Sequence, residues 1–549
     1  MSKVTGGHLV VRALKAEGVN YIFTLSGGHV EPIFQACLDE KLRLIDVRHE
    51  QAAVFMAEGW ARVTGQPGVA VVTAGPGVTN AITSLWTSFE SLSPIIVFGG
   101  KGPLSQFEMG ALQDFDSLSL VSSITKWSRA AYETKRIPEY VSMAYRQALT
   151  GRPGPVYLEF PQDVLEAEVE EEEAPPPTGY RTTAKVHGDP TLVKKAVDLL
   201  LDAKRPIVIA GSGVWWSQAG KELQEFIEMV KLPLILTRMG RGNVPEDHPL
   251  CFGPTRVGTR QADVVLVLGT RLDFALNFGR PPMFSADGKW IQVDIEPTEI
   301  GHNRPIDIGI IGDAQAVLKQ MIEETRGRCQ GRGELPWIKN CREYVTDRRE
   351  QLEIDMNSNS VPIHPARLCK EIRDFLDSAT IIVLDGGDIA HWAAAILKGY
   401  KPGYWIDMLN PAGSLGPGIP YAMAAKLARP DKQVFLLNGD GSFGLNSMEF
   451  DTMLRHKIPV VCVVGNDEAW GMIKHNQEAL GDGRVIGTEL GFTRFDRVVQ
   501  GLGGYGEAVE RPEDIRPALE RAFASGLPAC VNVRCASIAP SARRQARSK

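Results

Sequence analysis

Residues 433–467 read QVFLLNGDGSFGLNSMEFDTMLRHKIPVVCVVGND, and this stretch decides the fold. VFLLN and PVVCVV are continuous apolar runs rich in β-branched residues, the pattern of strands buried on both faces. The first runs into Gly439-Asp440-Gly441-Ser442 and the second into Gly465-Asn466-Asp467. Between Gly441 and Asn466 lie 24 residues, room for one helix and a return to a neighbouring parallel strand. Such a unit sets the carboxyl ends of both strands side by side, where open α/β sheets bind ligands. Asp440 and Asp467 would then face one crevice. The glycines let the backbone approach closely, and Ser442 with adjacent N–H groups can donate to phosphate oxygens. A hard cation such as Mg2+ wants oxygen ligands and keeps phosphate oxygens in its shell. Two carboxylates and a backbone carbonyl, for which Ala469 is the candidate, would serve it. Alone, Gly-Asp-Gly is a turn after a strand. Paired with Asn-Asp at this spacing, it reads as a site.

The same alternation of apolar runs and amphipathic stretches extends outward in both directions. LRLIDV (42–47), GVAVVT (68–73), PIIVFG (94–99) and PVYLEF (155–160) read as strands of a first block. PIVIA (206–210), ADVVLVLG (262–269) and WIQVDI (290–295) belong to a second, and TIIVLD (380–385) and ACVNV (529–533) complete the third. The fold class is therefore α/β, with three doubly wound parallel-sheet domains. Two breaks divide them. EEEEAPPP (170–177) combines charge repulsion with prolines that remove backbone donors, and reads as a solvated linker. A weaker break carries RGRCQGRGE, a helix over 337–352 and the polar NSNSVP. The expected organisation is domains at 1–169, 188–327 and 362–540, linkers at 170–187 and 328–361, and a basic tail at 541–549. The first and third blocks are candidates for a shared topology.

Bulk properties narrow the function classes. A chain of 549 residues is too long for one core. Its formal charge of −6 offers no general attraction for nucleic acid or acidic membranes, and no apolar run is long enough to span a bilayer. The first residues lack a secretory pattern. Eight scattered cysteines without a CxxC pair suit reduced thiols in a cytoplasmic protein.

The Gly439–Gly441 and Asn466-Asp467 pair resembles the thiamine diphosphate signature, which usually ends in two asparagines; here Asp467 stands in the second place. RHEQAA (48–53), VVTAGPGVTNAI (71–82) and LSP (92–94) resemble the pyrimidine-binding domain of the acetohydroxyacid synthase–like branch. The likeness spans nearly the whole chain. It implies pyrimidine-binding, central nucleotide-binding-like and diphosphate-binding domains, with Asp440, Asp467 and Ala469 holding Mg2+. It further implies cofactor contacts from Thr73, Gly387, Asp388, Gly439, Gly441, Ser442, Trp470, Gly471 and Met472, and Leu415 as the bulky residue beneath the cofactor. Glu50 becomes the carboxyl group that favours the cofactor's imino tautomer, although a glutamate in a first helical turn is also stabilised by the helix dipole alone. In that family Glu50 of one subunit meets the cofactor of another, so at least a homodimer and, by expectation, a homotetramer follow.

His29 and Gln113 can each hydrogen-bond a carbonyl or alkoxide oxygen. Their ordinary readings are a helix cap and a surface glutamine, but both match motif positions near the thiazolium in benzaldehyde lyase and acetolactate synthase–like lyases. The middle block, with MGRGNVPEDHPLCFG (239–253) and IQVDIEP (291–297), resembles 2-hydroxyacyl-CoA lyases and oxalyl-CoA decarboxylases. That likeness implies an ADP or CoA moiety, or less readily FAD, near Arg271, Asp294 and Asp313. Gly211-Ser212-Gly213 lacks the lysine those relatives carry between the glycines. It also lacks the third glycine of a dinucleotide fingerprint, which argues against a nicotinamide-dependent oxidoreductase. The tail SARRQARSK reads as a solvated end, or as a segment whose Arg543, Arg544 and Arg547 pair with CoA phosphates. The expected activity is cleavage of 2-hydroxyacyl-CoA to an aldehyde or ketone and formyl-CoA, reversible as a carboligation. The alternative is a benzaldehyde lyase–like or acetolactate synthase–like carboligase on 2-hydroxy ketones or 2-oxo acids. A catalytically idle relative is disfavoured by the retention of Glu50, Asp440 and Asp467.

Overall fold

The computed structural model describes residues 3–254, 257–329, 333–480 and 483–540. Three parallel sheets carry the chain, each built from strands of Val, Ile and Leu whose two faces are both covered. The first orders its strands Arg43–Asp46, Tyr21–Thr24, Gly68–Val72, Ile95–Lys101, Val156–Pro161 and Trp127–Ala130. The third orders Trp405–Ile406, Ile381–Asp385, Val434–Gly439, Val461–Asn466, Ala529–Arg534 and Tyr505–Val509. In chain order both run second, first, third, fourth, sixth, fifth: the shared topology is real. The central sheet, Leu234–Leu236, Pro206–Ala210, Val264–Leu268, Lys289–Asp294 and Ile308–Ile311, begins the same way. All three sheets therefore have a switch point between their first and third strands, where consecutive connections leave in opposite directions and a crevice can open.

By compactness the chain forms two units. One gathers Met1–Thr183, Asn410–Pro430 and Leu445–Val460; the other gathers Ala184–Leu409, Asp431–Gly444 and the residues from Val461 onward. In the first unit, helix Glu50–Thr64 packs along helix Gly418–Ala428. Gly59 permits this approach, because a Cβ there would lie 2.8 Å from the Tyr421 Cα.

The first expected linker holds more structure than its composition suggested, and the helix expected in the second packs into a core. The acidic run does not begin as free chain: Glu168–Glu170 pairs antiparallel with Lys3–Thr5, and Arg12 donates to Glu171 at 2.7 Å. Basic partners absorb the repulsion that the isolated run would have. In the second, helix Pro336–Met356 buries Trp337, Ile338 and Cys341 in the core of the central sheet. No helix among the described residues is long and apolar enough to cross a membrane. The basic tail lies outside the described residues.

Candidate functional site

The switch point of the third sheet is built by close backbone approach. Gly386 has φ +120 and lies where a Cβ would meet the Gly439 amide at 2.9 Å, so the turns after strands Ile381–Asp385 and Val434–Gly439 touch. Asp440 follows the second of these turns and is 4% exposed. Its carboxylate accepts the amides of Gly441 at 2.9 Å and Ala469 at 3.2 Å, which joins the Gly-Asp-Gly turn to the Asn-Asp turn. Asp467 accepts from the Ser537 hydroxyl at 2.8 Å. Two glycines make room for these groups. A Cβ at Gly441 would sit 2.3 Å from the Trp470 ring, and one at Gly471 would sit 2.4 Å from a carboxylate oxygen of Asp467. Ser442 is buried and donates its hydroxyl to the Gly439 carbonyl at 3.0 Å. Gly387 precedes helix Asp388–Ile396, beside Met472, and the Asp388 carboxylate accepts from His475 Nδ1 at 2.7 Å.

Burial shifts the carboxylates of this turn cluster away from their ordinary range. Burial first, and then the charge on Asp467, push Asp440 up to about 7; burial raises Asp467 as well. His475 is raised chiefly by its hydrogen bond to Asp388. Asp440 and Asp467 touch amides, a hydroxyl and each other, and the nearby His475 favours the ionised form of Asp467. The two carboxylates are coupled unequally: the charge on Asp467 raises Asp440, whereas a hydrogen bond from Asp440 lowers Asp467. No cluster of three or more His, Cys, Asp or Glu side chains is arranged for a metal among the described residues.

The first unit presents a second set at the same switch point of its own sheet. A Cβ at Gly27 would lie 2.4 Å from the Thr73 side chain, so the turns after the first and third strands again touch. His29 is buried there, with Nδ1 3.2 Å from Thr73 Oγ1 and Nε2 3.1 Å from the Leu112 carbonyl. A carbonyl only accepts, so Nε2 carries the proton and Nδ1 is left to accept from the threonine hydroxyl. Gln113, exposed and at φ +58, follows Leu112 directly, and its Cβ would be 2.7 Å from a Cβ on Gly75. Glu50 opens helix Glu50–Thr64, is 6% exposed and accepts from Asn80 Nδ2 at 3.0 Å. Leu415 is half-buried in this unit, in a loop tied down by Asn446 Nδ2 donating to the Gly416 carbonyl at 2.7 Å.

The central switch point differs. A Cβ on Gly213 would lie 2.7 Å from the Gly269 Cα, and one on Gly211 would lie 2.4 Å from Thr270. Arg271 follows in that loop, and Asp294 ends strand Lys289–Asp294 and accepts the Glu296 amide at 2.9 Å. Asp313 caps helix Ala314–Thr325, accepting two of its amides and the Ser217 hydroxyl.

Several residues of these sites were not singled out from sequence. His475 had a readable signal, since it lies one helical turn beyond Gly471 and so shares its face. Asn80 stands inside the quoted VVTAGPGVTNAI motif. Ser537 lies in irregular chain after the last strand and had no local signal.

Residues 4–120 match the thiamine pyrophosphate enzyme N-terminal TPP binding domain, residues 193–321 the central domain and residues 385–533 the C-terminal TPP binding domain. The chain belongs to the thiamine pyrophosphate-dependent enzymes. An acetolactate synthase large subunit of Mycobacterium tuberculosis is 39% identical over 531 residues, covering 96% of this chain and 95% of the relative. The human 2-hydroxyacyl-CoA lyase 2 is 33% identical over 550 residues, 93% of this chain and 86% of the relative. The mouse 2-hydroxyacyl-CoA lyase 1 is 30% identical over 569 residues, 99% and 96% of the two chains.

Proposed function

We propose that this thiamine pyrophosphate-dependent enzyme cleaves 2-hydroxyacyl-CoA to an aldehyde or ketone and formyl-CoA, and runs the reverse carboligation. The observation that carries the cofactor half of this reading is the buried, closely coupled Asp440–Asp467 pair at one sheet's switch point, two carboxylates that a Mg2+–diphosphate unit would engage in their ionised form. Asp440, Asp467 and the Ala469 carbonyl would hold Mg2+, with Gly387, Asp388, Gly439, Gly441, Ser442, Trp470, Gly471 and Met472 around the diphosphate. Bound there, thiamine diphosphate supplies an electron sink for the bond that breaks next to the carbonyl. Glu50 is the group that takes and returns a proton at the aminopyrimidine edge, held by Asn80. His29 would serve a substrate oxygen by exchanging the bond its Nε2–H makes to the Leu112 carbonyl, and Gln113 beside it would orient that oxygen. Leu415 would support the cofactor from below, and the Leu112 carbonyl keeps His29 in its tautomer while Thr73 takes up its other nitrogen. Because the family resemblance pairs Glu50 of one subunit with the cofactor of another, the working assembly is a homodimer at least and a homotetramer by expectation. Free cysteines throughout the described residues suit a cytoplasmic setting. Arg271 and Asp294 are the central-domain candidates for the nucleotide part of CoA; Asp313 is already engaged as a helix cap.

The second reading, an acetolactate synthase–like carboligase on 2-oxo acids, is favoured by the 39% identity to the mycobacterial relative. Purified enzyme with cofactor and Mg2+ should be assayed on 2-hydroxyacyl-CoA, benzoin and pyruvate in parallel. Aldehyde and formyl-CoA from the first substrate support the lyase. CO2 from pyruvate with intact acyl-CoA overturns it in favour of the second reading.

A further inference from the structure

Helix Glu449–His456 begins with a glutamate that is 1% exposed, in the same unit as Glu50. Its two carboxylate oxygens accept the Arg48 amide at 2.9 and 3.2 Å, the His49 amide also donates to it, and the Thr452 hydroxyl donates at 2.6 Å. Those two amides belong to the peptides immediately ahead of helix Glu50–Thr64. His49 is the helix's N-cap, extended at φ −153 and ψ 138, with Nδ1 accepting the Gln51 amide at 3.1 Å. The approach to Glu50 is therefore gripped from outside by a carboxylate and from inside by a cap. We propose that Glu449 is a positioning residue for Glu50, fixing the peptide from which the Glu50 side chain departs. This rests on the reading of Glu50 as the proton-transfer group.

Neighbouring charges hold the clamp in register. Arg455 donates to Asp451 at 2.9 Å and to the Asp46 carboxylate at 2.6 Å, His456 Nε2 lies 2.8 Å from Asp46, and Arg48 lies 3.7 Å from Asp451. They tie the helix to the end of strand Arg43–Asp46, leaving the amides of residues 48 and 49 to Glu449. A buried carboxylate is a costly way to fasten a loop, since it gives up hydration that an apolar contact would not. What it provides is two acceptor oxygens that take several N–H donors together, which an amide side chain does not. Burial pushes Glu449 up to about 7, against the opposing pull of Thr452, of the Arg48 and His49 amides and of Arg455. As pH falls through that value the carboxylate gains a proton, loses acceptor capacity and loosens its hold. The ionised form above it is the one that positions Glu50.

The test compares wild type, E449Q, T452V and E50Q, each reconstituted with thiamine diphosphate and Mg2+. The readouts are hydrogen–deuterium exchange at the cofactor's C2 position, kcat, substrate KM and cofactor Kd. E449Q should slow exchange and kcat together by about 10- to 100-fold, the effect of a small misplacement, with KM and cofactor Kd within about twofold. The wild-type exchange rate should rise through pH 7, and E449Q should lose that limb. T452V, which frees one oxygen of the carboxylate, should act in the same direction by about threefold. If E449Q does not fold, T452V decides, and exchange at the wild-type rate overturns the proposal. Wild-type exchange in E449Q beside a dead E50Q overturns the positioning role and leaves Glu50's role standing. Undiminished exchange in E50Q removes the reading of Glu50, and this inference with it.

Discussion

Two turns of the second compact unit look alike in sequence and do different work. Gly439-Asp440-Gly441 and Gly211-Ser212-Gly213 each follow a buried parallel strand and each stand at a switch point. At the first, glycines make room for charge: Gly441 admits the Trp470 ring, and Gly471 admits the Asp467 carboxylate. At the second, glycines make room for backbone, because Gly213 packs directly on Gly269 and Gly211 on Thr270. One turn gathers buried carboxylates, and the other packs main chain on main chain. Glycine spacing thus marks where chains approach closely, and only the polar side chains between and beyond say whether a ligand is what approaches.

The difference can be broken most forcefully at Asp440. D440A removes one of two carboxylates and the bridge to the Ala469 amide. Turnover is expected to fall by about three orders of magnitude or more, matching the several kcal/mol that a bound cation supplies. Titration calorimetry with thiamine diphosphate and Mg2+ should show binding lost alongside. Near-normal turnover in that variant would remove the cation from the site.

How much of this was readable in advance follows from where each signal lives. Most strands that appeared in sequence, such as Val434–Gly439 and Val461–Asn466, are central, buried on both faces and continuously apolar, although Arg43–Asp46 is a partly buried edge and the interior Tyr21–Thr24, four residues long, was not read. Those that did not include Trp405–Ile406, two residues long, and Tyr505–Val509, YGEAV, whose burial is mostly partial. Both are sheet edges, where one side of the strand faces no partner and the apolar run is interrupted. Site residues divide the same way. Asp440, Asp467 and Glu50 sit at strand ends or helix starts, positions that topology predicts. Glu449 and Ser537 act through contacts made across the fold, at separations no local pattern encodes.

A finer probe of the charged turn is D467N, which installs the asparagine more usual in the signature this region resembles. An amide oxygen still coordinates but brings no charge, so Mg2+ affinity should weaken about tenfold. Turnover at saturating Mg2+ should stay within about threefold of wild type. A loss as deep as that of D440A would mean that Asp467 does more than ligate.

The closed turn is tested from the opposite direction, by adding atoms instead of removing them. G213A places a methyl group 2.7 Å from the Gly269 Cα, where backbone meets backbone and neither side can rotate away. Overpacking of this kind costs about 1–3 kcal/mol, so the thermal unfolding midpoint should drop measurably. Activity per folded molecule should remain within about twofold, and the KM for an acyl-CoA substrate should not move. A raised acyl-CoA KM without loss of stability would mean that this turn admits a ligand after all, and the contrast between the two Gly-x-Gly turns would reduce to which ligand each one meets.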